Sequence, residues 1–528
     1  MTAMPKVLIS DKMSPLAAEI FAARGVDCDV KTDLTPEELQ AIIGDYDGLA
    51  VRSATKATAE IIAGANNLKV IGRAGIGVDN IDLDAATARG IVVMNTPLGN
   101  SVTTAEHAIA MMAAMARQIP LADHSTRAGK WEKSRFMGIE LCKKELGIIG
   151  CGNIGAIVAT LALGLKMRVI VYDPYLSPER ANALRVERVE LDELLARVDV
   201  ITLHVPLTRE TKGIIDGAAL TKTKPGVFIV NCARGGLVVE ADLKSAIESG
   251  HVAGAALDVF EIEPARDNPL FELDQVIATP HLGASTEEAQ ENVARQVAEQ
   301  ISDFLLDGGV TNAVNTATIS AEDMPKLAPY TRLAEQLGSF AGQLTETGLI
   351  GATIEYEGAA AALNCRPLTA IMLQGLLHPL LDSVNTVNAP LIAKERGIDV
   401  REVKRDQAED YQTLIRLTII TERQQRSITG TLIAGDKPRI VEIKGIKIEA
   451  ELSPHMLYFT NNDKPGLIGG IGLVLGAAEV NIATFNLGRA AAGGDAIGLI
   501  SVDSDVGEEV LNQLRGIPNI IQVKALRF

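Results

Sequence analysis

Aromatic residues make up only 3% of the 528 residues, with a single tryptophan, while 47% of the chain is hydrophobic. Its cores are therefore expected to be aliphatic, which suits buried parallel strands and the helices that cover them. Cysteine is sparse as well. Cys28, Cys142, Cys151, Cys232 and Cys365 are scattered and never in C-x-x-C spacing, so no disulfide framework and no zinc or other metal site is indicated, and a reducing cytoplasm is the expected location. Cations are outnumbered, 50 Lys and Arg against 67 Asp and Glu, for a net charge of −17. That balance disfavours nucleic acid or an anionic membrane as the general partner, and an anionic substrate would need local Arg and Lys. The N-terminal residues run straight into a strand pattern, without the charged, apolar and cleavage regions of a signal peptide. One window, Gly466 to Phe485, is apolar enough to test as a membrane span, and Gly472-x-x-x-Gly476 imitates a helix-dimer motif. Its five glycines, Glu479 and Asn481 break it into a helix-like and a strand-like half, which excludes the span.

The chain is organised around Leu146-Gly-Ile-Ile-Gly-Cys-Gly-Asn-Ile-Gly155. A short apolar run ends in Gly150-x-Gly152-x-x-Gly155 and a helical pattern begins. In such a turn the first glycine permits the tight bend, the second lets the backbone approach a pyrophosphate, and the third lets the helix pack against its strand. The next strand pattern, Met167 to Asp173, ends in an acid placed to bind a ribose 2′-OH and to repel a 2′-phosphate, so NAD is favoured over NADP.

Before this motif, residues 1 to about 98 alternate strand and helix, as in a small parallel α/β unit. A long Ala- and Met-rich helix begins at Ser101, with Thr103 and Glu106 at capping-box spacing and methionines read as core filling. After Asp173 come further strand patterns at Val200 to Pro206, Gly226 to Asn231, Gly254 to Asp258 and Val276 to Pro280, each ending in a polar or Gly/Pro break. A helix from Thr286 to Leu306 would return to the first unit, leaving a cleft between two α/β lobes. Residues 307 to about 330 read as a linker, followed by a mixed α+β unit and, from His455, by a strand-helix-strand-strand-helix-strand order of the ferredoxin-like kind.

Three charged residues follow strands of the nucleotide unit. Arg234 in Asn231-Cys-Ala-Arg-Gly-Gly could hold a carboxylate bidentately. Glu263 and His281 could act together, an imidazole between a carboxylate and a substrate hydroxyl taking a proton as the carbon loses hydride. Taken singly each has a plainer reading, as a surface turn or a helix cap. Together, Asn-Cys-Ala-Arg-Gly-Gly, Glu-x-Glu-Pro and Pro-His-Leu-Gly-Ala-Ser resemble the signatures of the D-2-hydroxyacid dehydrogenases. The resemblance extends over the whole chain through Arg52-Ser-Ala-Thr-Lys56, Gly72-Arg-Ala-Gly-Ile-Gly-Val-Asp-Asn80, Asn95-Thr-Pro-Leu-Gly-Asn-Ser101 and Gly129-Lys-Trp-Glu-Lys133, and is nearest to the long form that acts on D-3-phosphoglycerate.

The resemblance implies a flavodoxin-like substrate domain at 1–98 and 285–318, a Rossmann NAD domain at 99–284, an α+β intervening allosteric domain at 319–453 and a βαββαβ ACT domain at 454–528. It implies NAD-dependent oxidation of D-3-phosphoglycerate to 3-phosphohydroxypyruvate, the first step of L-serine biosynthesis. Arg234 would orient the substrate carboxylate, His281 would be the acid/base and Glu263 its partner. The cofactor contacts carried over, beside Gly150, Gly152 and Gly155, are Asn153, Ile154, Asp173, Cys232, Ala233, Arg234, Asp258, His281, Gly283 and Ala284. Ile76 would lie on the nicotinamide side, where the family often has threonine. For the substrate and its phosphate the expected residues are Arg52, Ser53, Arg73, Asn100 and Gly75, with Gly75 and Gly77 forming a backbone anion nest. Lys130, Trp131, Lys133 and Arg135 sit in a segment that in this family can reach a neighbouring subunit's site. The ACT resemblance, through Asn462 to Gly466 and Asn481-Ile-Ala, implies a homo-oligomer, a tetramer, and serine as effector at Asp463 and Asn481, positions expected to meet at one edge of the sheet. Arg439, Lys444 and Lys447 read as alternating along one strand, as an anion site or a lysine-guarded edge. Two other readings stay open: reduction of another 2-oxo acid such as 2-oxoglutarate to 2-hydroxyglutarate, and an NAD-sensing scaffold or corepressor.

Overall fold

The computed structural model describes residues 4–319, 324–381, 384–407 and 411–528. Short apolar runs at β1 (Lys6–Ile9), β2 (Asp27–Val30), β3 (Gly48–Val51), β4 (Val70–Arg73) and β5 (Val92–Met94) form a parallel sheet in the order 2-1-3-4-5. Val7, Leu8, Leu49, Val70 and Ile71 are fully buried, as strands covered on both faces require. The order is that of the flavodoxin-like expectation. β2 escapes a pattern reading because Asp-Cys-Asp-Val carries almost no strand signal; it pairs only with β1.

The second sheet holds β6 (Glu145–Ile149), β7 (Arg168–Tyr172), β8 (Glu187–Arg188), β9 (Val200–Leu203), β10 (Val227–Asn231), β11 (Val252–Leu257) and β12 (Val276–Ala278), all parallel, in the order 12-11-10-9-6-7-8. The strand direction of winding reverses between β6 and β9, the crevice where such folds take a ligand. Helix α1 (Ser101–Ala116) leads into this sheet and buries Met111, Met112 and Met115 in its core. The expected capping box is absent: Asn100 is the N-cap and makes no side-chain cap bond, while Thr103 Oγ1 faces Thr286 Oγ1 at 3.3 Å.

After helix α2 (Asn153–Gly164), which follows the glycine turn, the returning helix is α3 (Glu287–Asp307), capped by the Thr286 side chain. α3 lies on the first sheet so closely that a Cβ at Gly72 would stand 2.6 Å from Ile301 and Val297. The stretch read as a linker is in part tied down: Val310 bridges Ile319, Ala313 bridges Met94, and Asn315 bonds the Val93 N–H and the Ile91 carbonyl. Residues 320–323 of that stretch lie outside the described residues.

A third sheet runs β14 (Asp399–Arg405), β13 (Leu349–Gly358), β15 (Thr413–Thr421), β16 (Gln425–Ile433), β17 (Lys437–Ile443), β18 (Ile446–Ala450), with only the β13–β14 pair parallel. The fourth sheet, β20 (Ile482–Arg489), β21 (Asp495–Val502), β19 (His455–Asn462), β22 (Ile520–Arg527), is antiparallel and completes the βαββαβ order with helices Leu467–Ala477 and Glu508–Arg515. These two sheets share one core: Tyr458, Leu499 and Leu526 pack with Leu337 and Phe340 of the helix Met324–Gln343, and Phe340 meets Tyr458 edge-on at 5.7 Å.

Arg439, Lys444 and Lys447 do not alternate along one strand. Arg439 is on β17, paired with Glu451, Lys444 occupies the hairpin turn at φ 52°, and Lys447 is on β18 opposite Glu442. The β18 edge is covered, since a Cβ at Gly488 of β20 would meet the Lys447 carbonyl at 2.4 Å. No helix of the described residues is long and apolar enough to cross a membrane. The apolar window tested for a span is the helix Leu467–Ala477 followed by β20.

Candidate active site

A cavity of about 1520 Å³ opens between the two parallel sheets. Its walls are loops at the C-terminal ends of strands: residues after β3, β4 and β5 on one side, and after β6, β9, β10, β11 and β12 on the other. Parallel strands send their C-terminal ends to one side of each sheet, so residues remote in sequence converge there.

At the glycine turn the three positions differ in the way a dinucleotide needs. Gly150 has φ +92°, a Cβ at Gly155 would lie 2.1 Å from the Gly150 carbonyl, and at Gly152 a Cβ would meet nothing within 4 Å. The first bends the chain, the last packs helix on strand, and the middle one leaves open space beside the N-terminus of α2, where Asn153 and Ile154 line the cavity. Asp173 is held by the Cys151 N–H at 2.7 Å and the Tyr175 N–H at 2.8 Å, which orients its carboxylate at the end of β7. Asp173→Ala is expected to change the NAD to NADP preference by about 10- to 100-fold, the worth of a hydrogen bond to a charged group, as kinetics with both cofactors would read.

Arg234, Glu263 and His281 all line the cavity. His281 Nδ1 stands 2.7 Å from Glu263 Oε2, and the other Glu263 oxygen accepts the Phe260 N–H at 3.0 Å. Burial pushes the Glu263 carboxyl up, but the hydrogen bonds from His281 and Phe260 outweigh it and hold the group below the usual carboxylate range. An ionised Glu263 only accepts, so Nδ1 carries the hydrogen and Nε2 is free to take a proton.

His281 itself has φ +56°, in the left-handed region. The loop is held there by Asp258, whose carboxylate accepts the Leu282 N–H at 2.7 Å, the Gly283 N–H at 2.8 Å and the Thr279 hydroxyl at 2.6 Å, with His107 Nε2 at 3.2 Å. Asp258 was expected among the cofactor contacts. It is fully buried and does not line the cavity, and its oxygens are bonded to the backbone of the histidine loop. Burial pushes its carboxyl up, and the bonds from His107, Thr279 and Leu282 outweigh that. Cys232, Ala233, Gly283, Ala284 and Ile76 line the cavity; Gly150, Gly152, Gly155 and Asp173 are not among its lining residues.

At the other end Arg52, Ser53, Arg73, Gly75 and Asn100 line the cavity. Arg73 is pushed down to about 10 by burial and by Arg234, and its Nε finds no partner among the described residues, nor does Asn100 Oδ1. Unmet buried polar groups beside two further arginines fit an anionic ligand that carries oxygens. Of the nest expected at 75 and 77, one N–H is already committed. The Gly75 N–H is taken by the Arg73 carbonyl at 2.9 Å. A Cβ at Gly75 would sit 1.9 Å from Arg73 Nη1 and one at Gly77 1.5 Å from Arg234 Nη2, so these glycines leave room for guanidinium groups.

Lys130, Trp131, Lys133 and Arg135 do not line the cavity of their own chain; Trp131 is 87% exposed and Arg135 pairs with Glu132 and Asp274. The expected effector pair is not brought together. Asp463 follows the end of β19 beside Arg489 and the Gly493 N–H, whereas Asn481 precedes β20 and bonds Asp503. Asn462 is opposite Asp495 and Ile482 opposite Val502, so the two stand at opposite ends of β21, roughly 23 Å apart at the rise of a strand. β20 runs parallel to β19, and the helix between them carries the chain back to the far end.

Pattern reading passed over Asp79, Asn80, His107 and Thr279. Asp79 and Asn80 lie in the run Gly72 to Asn80, where nothing local gives them a role, and nothing local marks His107 or Thr279, which meet Asp258 only in the fold.

Residues 109–283 match the family described as D-isomer specific 2-hydroxyacid dehydrogenase, NAD binding domain, and residues 326–444 match the D-3-phosphoglycerate dehydrogenase intervening domain. The chain is similar to the D-3-phosphoglycerate dehydrogenase of Bacillus subtilis (strain 168), 41% identical over 99% of each chain. It is likewise similar to that of Synechocystis sp. (strain ATCC 27184 / PCC 6803 / Kazusa), 44% identical over 98% of this chain and 94% of the relative. Among solved structures, a glyoxylate reductase from Paecilomyes thermophila superposes with a TM-score of 0.56 at 32% identity, covering 60% of this chain and 99% of its own.

Proposed function

The chain belongs to the D-3-phosphoglycerate dehydrogenases, NAD-binding 2-hydroxyacid oxidoreductases, and for its site we propose that Arg234, Glu263 and His281 carry the oxidation of D-3-phosphoglycerate to 3-phosphohydroxypyruvate. The observation that carries this reading is the Glu263–His281 pair at 2.7 Å in one cavity with Arg234. NAD, when bound, supplies the hydride acceptor. The glycine turn and the start of α2 would hold its pyrophosphate, Asp173 its ribose, and the Cys232, Ala233 and Ile76 positions its nicotinamide end. Arg234 binds the substrate carboxylate through its free N–H groups. His281 Nε2 takes the hydroxyl proton, and Glu263 stabilises the imidazolium that results. Arg52, Arg73, Ser53 and Asn100 answer the phosphate end. The division at 1–98 with 285–318, 99–284, 319–453 and 454–528 gives a catalytic half and a regulatory half.

The regulatory reading is L-serine as effector of a homo-oligomer, a tetramer. With Asp463 and Asn481 at opposite ends of one sheet, a serine site using both needs two copies of the C-terminal unit, one contributing each residue. Asp463 is an acceptor suited to an ammonium, since the Gly493 N–H and Arg489 hold it below the usual carboxylate range. A substrate panel followed by NADH absorbance, with and without serine, tests both levels. The expected result is turnover of 3-phosphohydroxypyruvate well above 2-oxoglutarate and a lower rate with serine. No turnover of the phosphorylated acid overturns the substrate, and an unchanged rate together with no serine binding by calorimetry overturns the effector.

A further inference from the structure

Arg234 is not free in the cavity. Its Nε donates to Asp79 Oδ2 at 2.9 Å and its Nη1 to the Ala233 carbonyl at 2.7 Å. A guanidinium has five N–H donors, so three remain, two of them on Nη2. Asp79 and Arg234 belong to different lobes: Asp79 lies on the loop after β4 of the first sheet, Arg234 on the loop after β10 of the second. Their ion pair therefore crosses the cleft in which the substrate must sit.

The backbone that carries Asp79 is pinned on both sides. Asn80 Nδ2 donates to the Arg52 carbonyl at 2.8 Å and the Thr55 carbonyl at 2.6 Å. Asn95 Nδ2 holds the Ile76 carbonyl at 2.6 Å, and the Thr96 N–H holds that of Gly75 at 3.0 Å. Asp79 is thus fixed in place although its side chain is 62% exposed. Gly77 gives the pair its room, because a Cβ there would come 1.5 Å from Arg234 Nη2 and 2.7 Å from Asp79 Oδ2. A pair this exposed contributes little to stability, so its use lies in what it does to Arg234.

We propose that Asp79 is a positioning residue: it clamps Nε of Arg234 across the cleft, so that the remaining Nη N–H groups face the substrate carboxylate before substrate arrives. This rests on the reading of Arg234 as the carboxylate-binding residue. A long side chain held in one orientation loses less freedom when it binds, and the gain appears in substrate affinity. The Asp79 charge also acts on the neighbouring Arg73 in the opposite sense to Arg234, which offsets the repulsion of two guanidinium groups at one end of the cavity. The opposite role is distinguishable. If Asp79 merely competed with substrate for Arg234, its removal would strengthen binding.

The test uses the full chain with 3-phosphohydroxypyruvate and NADH, comparing Asp79→Ala, Asp79→Asn and the parent. The lost preorganisation of one long side chain is expected to raise the substrate KM about 3- to 10-fold in Asp79→Ala, with kcat within about twofold, the mark of lost binding in ground and transition state alike. NADH affinity by fluorescence titration stays within about twofold, because the nucleotide end is untouched. Asp79→Asn keeps an acceptor oxygen in the same place and is expected to recover most of the KM. A KM in Asp79→Ala that falls or stays within twofold, or an effect confined to kcat or to NADH binding, overturns the role given to Asp79. A parent chain that does not reduce 3-phosphohydroxypyruvate overturns the functional reading and this inference together.

Discussion

Replacing His281 with glutamine is expected to lower turnover by roughly 10²- to 10⁴-fold while NADH binding stays nearly unchanged. Glutamine is close in length and leaves the loop backbone anchored by Asp258, which accepts the N–H groups of Leu282 and Gly283. The variant loses the ring nitrogen proposed to take the proton and the Nδ1 partner of Glu263. The glycine turn, Asp173 and the start of α2 are separate from this loop, and Asp258 keeps the backbone at 282 and 283 in place, so the proposed nucleotide contacts are expected to persist. Turnover near the parent's would remove His281 from the reaction, and a parallel loss of NADH binding would mean that the loop had collapsed instead.

The second large effect is expected from Gly77→Ala. The methyl group would overlap Arg234 Nη2, 1.5 Å from the Cβ position. What it displaces is the far end of a flexible side chain, so the fold is expected to survive, with a melting temperature within a few degrees of the parent's. The fork is pushed out of line with the substrate carboxylate, and a misplacement of about 1 Å can cost about 10²-fold. The expected result is a fall in kcat/KM of that order with near-normal stability. A variant that melts far below the parent would show that the loop, and not the guanidinium, had yielded. An unchanged kcat/KM would show that Arg234 has another productive position.

These two substitutions differ in what made them visible. His281 was legible in the chain because Pro-His-Leu-Gly-Ala-Ser follows a strand pattern, and the ends of parallel strands face the crevice. Gly77 was legible only as a glycine of an anion nest, not as a neighbour of Arg234. Its contact with Arg234 joins residues from different sheets, and no local pattern encodes which loop of one lobe meets which loop of the other.

The periodicity of apolar runs determined the two parallel lobes and the βαββαβ tail, since strand and helix burial impose their own spacing. The glycine turn and Asp173 determined the cofactor class, because the close approach of a pyrophosphate and the reading of a ribose hydroxyl need those residue types at that spacing. Tertiary structure alone decided the rest. Asp258 was joined to the support of His281 because burial brings its oxygens to backbone N–H groups, a hydroxyl and His107. Asp463 and Asn481 were separated because the helix between them returns the chain to the opposite end of the sheet. Asp79 was given to Arg234 across the cleft because two lobes, folded from distant parts of the chain, close on one another with their strand ends facing.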